Sequence, residues 1–340
     1  MTGYGDVGEE VIGRLASRLG GAPHQVTLWQ RGLTWHPAGL TQHIWAEAAS
    51  QPSAGAWRVH VRTWCLKRVV ASSRATVEAI ASELPHLALS ALIRKPGSPS
   101  RLGLGASMVM STDRVEWTSR FMAAVARLQV QDAVRLSRSP AILAAGAAAD
   151  LATDRLSVEP LGTTAAPHPT DPRILPPLAL DVLPFNEVAD ALRAHDGVRA
   201  IVSHSGVTAS FPGLADGDRS EFILFEMRLG SRPPIGRGVW VSMALPMVAP
   251  AHLLHALTLN EAELEASSPT DVVGGWIVRH ATLRHESFVP WSLCSGEVIR
   301  HVADAAARRA TWLRQAGGAV VPAEWPDGMP GRVLPFTRSS

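Results

Sequence analysis

The chain is poor in the residues that announce a function. It has two cysteines in 340 residues, Cys65 and Cys294, one in each half. That excludes a disulfide framework, a CxxC redox motif and a cysteine zinc site, and points to a reducing compartment, the cytoplasm. Tyrosine occurs once and lysine only at Lys67 and Lys95, so the positive charge is almost all arginine, a bias of GC-rich bacterial coding sequence. Neither sign of charge dominates: Lys+Arg 32 against Asp+Glu 30 leaves a net charge of +2. Such a balance offers no continuous basic footprint for nucleic acid or anionic lipid. No apolar run reaches the ~18 residues of a membrane span, and the Ala/Gly stretch from Ala141 to Ala149 is too short. The first ten residues have neither the basic flank nor the apolar core of a signal peptide.

What is present is globular: 46% apolar and 18% charged residues, over a length that suits about two domains of roughly 150 residues each. In the first half, Val11, Ile12, Leu15 and Leu19 recur at helical spacing and Gly20-Gly21 ends the run. Gln25 to Trp35 is β-rich and broken at Gly32, and Ile44 to Ala48 is a second strand. In Trp57-Arg-Val-His-Val-Arg-Thr-Trp64, alternation puts Trp57, Val59 and Val61 on one face and Arg58, His60 and Arg62 on the other. A helix from Ser72 to Leu84, capped by Ser72 or Ser73, precedes strands Leu87 to Ile93 and Leu102 to Met110. A long amphipathic helix, Asp113 to Arg138, capped by Thr112 or Asp113, closes the half.

The second half repeats the order. A helix over Phe185 to Arg193 leads to β segments Val198 to Val202 and Val207 to Phe211, then strands Glu221 to Arg228 and Gly238 to Leu245. A helix from Ala249 to Ala266, with Pro250 in its first turn, precedes a hairpin (Val272 to His280, Leu283 to Val289). The closing helix runs from Gly296 to Gln315, capped by Ser295. A Trp stands early in the third strand of each half, Trp57 and Trp240. The expected fold is therefore α+β: two tandem α-β-β-β-α-β-β-α domains whose antiparallel sheets are packed by helices. The boundaries are 1–138, a Pro/Ala-rich linker 139–183, 184–315, and a Pro-rich tail 316–340.

No constellation of catalytic or metal-binding type stands out. Val202-Ser-His-Ser-Gly206 is close to a nucleophile elbow with Ser205 as nucleophile, but it lacks the first glycine and β-forming residues follow it. It reads more simply as a hairpin turn. Leu102-Gly-Leu-Gly-Ala-Ser107 lacks the third glycine and the helix of a dinucleotide site, and reads as an edge strand or a bulge. His252 and His255 share a helix face and His280 and His285 lie near a hairpin turn, so zinc would need the fold to gather them. Cys294 precedes a helix, whose N-terminus lowers a thiol pKa. Arg58, Arg62 and Arg68, and Arg300, Arg308, Arg309 and Arg314, are interspersed with acids and read as solvated faces.

Tryptophan is abundant, eleven in all, and Trp29, Trp35, Trp45, Trp57 and Trp64 fall on strands of the first half. Most such residues belong to the core, with an exposed subset serving as a contact surface. The second half carries Val239-Trp-Val-Ser-Met-Ala-Leu-Pro246 and a helix ending Leu257-Thr-Leu-Asn-Glu-Ala-Glu-Leu264. Val273-Gly-Gly-Trp-Ile-Val278, Ser287-Phe-Val-Pro290 and a helix through Ala305-Ala-Ala-Arg-Arg-Ala-Thr-Trp312 follow. This run resembles the secretion-chaperone-like fold shared by type III secretion chaperones and YbjN-like bacterial proteins. The first half follows the order but has Ala81-Ser-Glu-Leu84 in place of the Leu-Asn element. The resemblance implies a non-enzymatic module without cofactor or metal, which binds another protein or an extended peptide segment, or pairs with itself as a homodimer. Trp29, Trp35, Trp45, Trp276 and Trp291 are the expected partner-binding residues. The competing expectations are a hydrolase using Ser205 or Cys294 with a nearby His, and a structural scaffold of a larger assembly.

Overall fold

The computed structural model describes residues 6–20, 25–49, 56–70, 73–84, 87–150, 183–212, 222–232, 235–245, 253–265, 268, 270–279 and 282–316. The chain forms two compact units, Met1–Pro177 with Leu264–Val273, and Leu178–Glu263 with Gly274–Ser340. No described helix is long and apolar enough to cross a membrane.

The first unit opens with α1 (Val7–Leu19), where Asp6 accepts from the Gly8 N–H and Gly20, at φ 65°, ends the helix. The broken β segment is a hairpin of β1 (Val26–Trp29) and β2 (Gly32–Trp35), turned at Arg31 with φ 54°. Then come β3 (Thr41–Ala48), β4 (Trp57–Lys67), α2 (Arg74–Glu83), β5 (Ala91–Lys95), β6 (Ser98–Met110) and α3 (Val115–Arg138). The sheet is antiparallel in the order β1-β2-β3-β4-β6-β5. α2 is capped by Ser73, as its sequence suggests. α3 begins later than expected, after a 3₁₀ turn over Thr112–Arg114, and has no side-chain cap.

Helices α1 and α3 pack on each other and on one sheet face. Val11, Ile12 and Leu15 of α1, Phe121, Met122, Val125 and Leu128 of α3, and Ile44, Val59 and Val61 of the sheet are buried there. Each such side chain contributes about 1.5–3 kcal/mol through burial. Gln42 bridges this core to α3, donating to Thr63 Oγ1 (2.8 Å) and the Ala126 carbonyl (3.0 Å).

The expected linker starts twelve residues too early. Residues 139–150 are integral to the first unit: α4 (Pro140–Ala144) buries Ile142, and β7 (Ala148–Ala149) pairs with β4. The rest of the linker, 151–182, and the tail beyond Ala316 lie outside the described residues.

The second unit holds α5 (Phe185–Arg193), β8 (Arg199–Ser203), β9 (Gly206–Phe211), β10 (Ile223–Arg232), β11 (Gly236–Ala244), α6 (Leu253–Glu263), β12 (Gly275–Arg279), β13 (Thr282–Pro290) and α7 (Gly296–Ala316). Ser295 caps α7 through the Val298 N–H (3.0 Å). Pro250, expected in the first turn of α6, lies outside the described residues. The sheet order is β12-β13-β11-β10-β9-β8, the first unit's order element for element. Both halves thus follow one α+β plan. With the broken segment counted as a hairpin, it reads α-β-β-β-β-α-β-β-α.

The Leu-Asn element has a physical role in this plan. Asn260 of α6 accepts from the Trp276 N–H (2.6 Å) and donates to the Trp276 carbonyl (3.2 Å), clamping β12 to the helix. The Trp276 indole N–H donates to Glu263 (2.7 Å), which is also held by Arg309 at 2.7 and 2.9 Å. Arg309 is 2% exposed, so this guanidinium belongs to the core and not to a solvated face.

The apparent Trp57/Trp240 correspondence fails on register. Gly32 pairs through Trp45 to His60, and Gly206 pairs through Arg228 to Trp240, so the residue equivalent to Trp240 is His60. Trp57 is three positions away and on the opposite face, over Gly8 of α1. A shift by an odd number of residues reverses the face of a strand side chain.

The alternation expected in β4 is correct in direction, but both faces are buried. Arg58 is 0% and His60 1% exposed. Arg58 donates to Ser107 Oγ (3.0 Å), the Thr270 carbonyl (3.0 Å) and the Ser268 carbonyl. Those carbonyls belong to Leu264–Val273, which completes the edge of β6. β5 pairs with β6 only as far as Gly105. Beyond it, Ser107 and Val272 exchange N–H···O bonds of 3.0 and 2.7 Å, and Asp271 accepts from the Val109 N–H (2.7 Å). Leu264 and Val272 close a dry cluster with Trp64, Ala91 and Ile93. The Gly-x-Gly stretch is therefore on an inner strand: a Cβ at Gly105 would meet Leu264 at 2.7 Å.

Candidate functional site

The catalytic candidates are dispersed into structural roles. Ser203 pairs with Gly206 across the β8–β9 hairpin, so His204 and Ser205 form its two-residue turn rather than a strand-to-helix elbow. Ser203 Oγ contacts the carbonyl of Gly206 (3.2 Å) and Ser205 Oγ (3.5 Å), a turn-stabilising pattern. Cys294 is fully buried, with Sγ 3.3 Å from the carbonyls of Val289 and Pro290. Burial pushes this thiol up to about 12, the reverse of the lowering expected next to a helix N-terminus, because lost hydration of the thiolate outweighs the local dipole. His255 and His285 are both buried. His285 lies edge-on to the Trp276 ring at 5.5 Å, and His252 and His280 lie outside the described residues. Among the described residues no group of metal-ligand type gathers.

The expected partner-binding tryptophans divide. Trp276 is 0% and Trp35 3% exposed, so both are core residues, not contact residues. Trp29, on the edge strand, is 46% exposed. Trp45 and Trp291 are half-buried. Trp45 lies between His60 (4.6 Å, stacked) and the Arg62 guanidinium (4.8 Å), and Arg237 lies over Trp291 at 5.8 Å. Such stacks contribute about 0.5–1 kcal/mol at exposed sites.

Glycine explains much of the tryptophan. A Cβ at Gly32 would lie 2.4 Å from Trp29, at Gly103 2.6 Å from Trp64, and at Gly230 2.5 Å from Trp240. Phe288 covers Gly238 in the same way, at 2.6 Å. Aromatic rings laid over strand glycines restore the packing the glycine lacks.

A polar cleft lies on the second sheet. Alternation in β10 buries Phe225 and Met227 and turns Glu226 and Arg228 outward. Trp240 and Ser242 of β11 pair with these two. Glu286 of β13 pairs with Ser242, and Arg284 with Ala244. Together with Gly230, Ser231 and Arg279 they line a cleft of about 300 Å³. Glu226 pairs with Arg228 (3.3 Å), and Glu286 with Arg279 (3.6 Å). Glu286 is 7% exposed, and its Oε2 has no hydrogen-bond partner. Burial raises its pKa despite the opposing field of Arg279, Arg284 and Arg228. Arg284 makes no ion pair among the described residues, and its buried Nε has no partner.

Sequence reasoning missed this cleft. Its signal was present, charged residues alternating with apolar ones in β10 and β13, but nothing local says that those strands flank β11. The equivalent positions in the first unit hold Trp45, His60, Arg62 and His43. There Glu47 accepts from His60 Nε2 (2.9 Å), and burial lowers the pKa of His60.

No protein-family model, no curated protein and no solved structure matches this chain.

Proposed function

We propose that this chain is a non-enzymatic, secretion-chaperone-like module of the bacterial cytoplasm that binds another protein through an extended segment. One observation carries the reading. In both units an outermost strand, β1 or β8, bears large exposed apolar side chains: Leu28 (63%) and Trp29 (46%) on β1, and Ile201 (70%) on β8, where the outward Ala200 carbonyl accepts from Arg193 at 2.8 and 3.1 Å. Edge strands of soluble proteins are ordinarily blunted by charge, proline or covering elements, because unpaired N–H and C=O groups recruit further strands. Apolar residues at such an edge suit strand addition, with main-chain hydrogen bonds for affinity and side-chain contacts for selectivity. Leu224 (59%) and Phe222 (42%) extend the apolar surface of the second unit. The pairing of Ser107 with Val272 illustrates the same physics within one chain.

The test is site-specific photocrosslinking in the source cell, with a photoreactive residue at Leu28 or Ile201. A discrete adduct at both sites, lost when Val26 or Ala200, whose N–H groups face away from the neighbouring strand, is replaced by proline, is the expected result. An adduct of the chain with itself makes the partner a second copy, the homodimer. Absence of any adduct at either edge would sink the proposal.

A further inference from the structure

The cleft of the second sheet lies on β10, β11, β13 and β12, two strands in from the β8 edge, and bears on the chemistry of a segment that crosses this sheet face. The inference rests on the peptide-binding reading and goes beyond it. Three guanidiniums, Arg228, Arg279 and Arg284, line the cleft against two carboxylates, Glu226 and Glu286. The two ion pairs use one guanidinium each; Arg284, whose field also reaches Glu286, makes no ion pair among the described residues, so three cations face two carboxylates. The site therefore has a single positive charge to spare and two buried polar atoms to satisfy: Nε of Arg284, a donor, and Oε2 of Glu286, an acceptor. Leaving either unpaired is unfavourable, because a buried polar atom has given up its water without a replacement. A ligand that satisfies both must supply a monoanionic acceptor and an N–H or O–H donor. A phosphate group brings about −1.5 to −2 charge and would confront Glu226 and Glu286. A carboxylate brings one charge and matches the planar fork of arginine.

The surroundings restrict the ligand further. Leu224, exposed, is two residues before Glu226 and four before Arg228 on the same face of β10. Those separations are about 7 and 13 Å along a strand, the distances between residues i, i+2 and i+4 of an extended peptide. The Trp240 ring, held over Gly230, walls the cleft. We propose that the cleft takes the carboxylate of a glutamate or aspartate in an extended apolar segment of the partner, through Arg284 and Arg228, with a backbone N–H of that segment donated to Glu286 Oε2. Apolar residues two or four positions away rest on Leu224.

The test uses the full chain and fluorescein-labelled Leu-Thr-Leu-Thr-Glu-Thr-amide, with Gln and phosphoserine versions and free glutamate as competitor. The expected result is saturable binding of the Glu peptide by anisotropy, weakened about tenfold or more by the Gln peptide and by Arg284→Gln. The two losses should not add, since both remove one contact. Arg228→Gln, at an exposed position that the fold does not need, should weaken the Glu peptide less but in the same direction. Equal binding of Glu and Gln peptides, tighter binding of the phosphoserine peptide, or competition by free glutamate at the peptide's own concentration would overturn the inference while leaving peptide binding intact. Failure of all peptides to bind, with thermal melts showing folded protein, would overturn both it and the peptide-binding reading.

Discussion

At the scale of single residues, the molecule distinguishes glycines that the fold requires from those it tolerates. A Cβ at Gly238 would lie 2.3 Å from the Val289 carbonyl and 2.6 Å from the Phe288 ring, and the carbonyl is fixed by the sheet. Gly13, inside α1, has nothing within 4 Å. Gly238→Ala should therefore lower stability by about 1–3 kcal/mol, and Gly13→Ala should raise it by about 0.5–1 kcal/mol, both read by urea denaturation. The same reasoning applies to the buried ion pair. Arg309→Met leaves the Glu263 carboxylate buried with only the Trp276 indole N–H, and a loss of about 3–5 kcal/mol is expected. Equal stability of this variant and the parent would mean that water reaches Glu263.

At the scale of elements, two strands show how pairing depends on what is brought from elsewhere. β6 is thirteen residues long, but β5 covers only part of its outer edge, and Leu264–Val273 supplies the rest. Asp271→Ala removes the acceptor for the Val109 N–H. Hydrogen exchange should accelerate at Val109 and Ser107 in that variant, while Ala106 and Met108, whose N–H groups point to β4, remain protected. Uniform acceleration along β6 would instead indicate that the strand opens as one unit. The cysteine preceding α7 teaches the corresponding lesson for helices: the dipole at a helix N-terminus is a local effect, and complete burial overrides it.

For the whole molecule, pH dependence follows from buried histidines. Loss of hydration lowers the pKa of His60 and of His285, the latter further opposed by Arg309. A neutral form favoured by the fold contributes stability that is full above the unfolded value of about 6.5 and is lost as pH falls below it. Glu286, raised by burial, has the opposite slope and loses its contribution as pH rises above the unfolded carboxylate value. Cys294 and Cys65, both raised by burial, lose theirs above about pH 9. With the pKa values of His43, His60 and His285 lowered against that of Glu286 raised, the melting temperature should be lower at pH 5.5 than at 7.5 and fall again above pH 9. A melting temperature that rises on acidification to pH 5.5 would show that Glu286 dominates. The chain path gives a second test. A fragment ending at Pro177 lacks Leu264–Val273, so Ile93 and Trp64 lose their cover and Arg58 loses two carbonyl acceptors. The fragment should bind a hydrophobic dye, and a synthetic peptide spanning 264–273 should suppress that binding.

Much of this architecture is written in local pattern. Helical spacing of Val11, Ile12, Leu15 and Leu19, the capping residues Ser73 and Ser295, and the repetition of element order all follow from interactions within a few residues. They locate the elements, the two-domain plan and the α+β class. The hidden parts depend on neighbours distant in sequence. Arg58 and Arg309 read as surface charge because the carbonyls of Ser268 and Thr270, and the carboxylate of Glu263, are far along the chain. Trp276 reads as a contact residue because only α6 shows it to be enclosed. The cleft of Arg228, Arg284 and Glu286 needs β10, β11 and β13 side by side, and strand order is not encoded in alternation. Sequence determined which side chains alternate and where turns occur, since both are set by backbone sterics and local hydration. Tertiary structure decided which charges are buried and which converge, since desolvation and ion pairing depend on long-range packing.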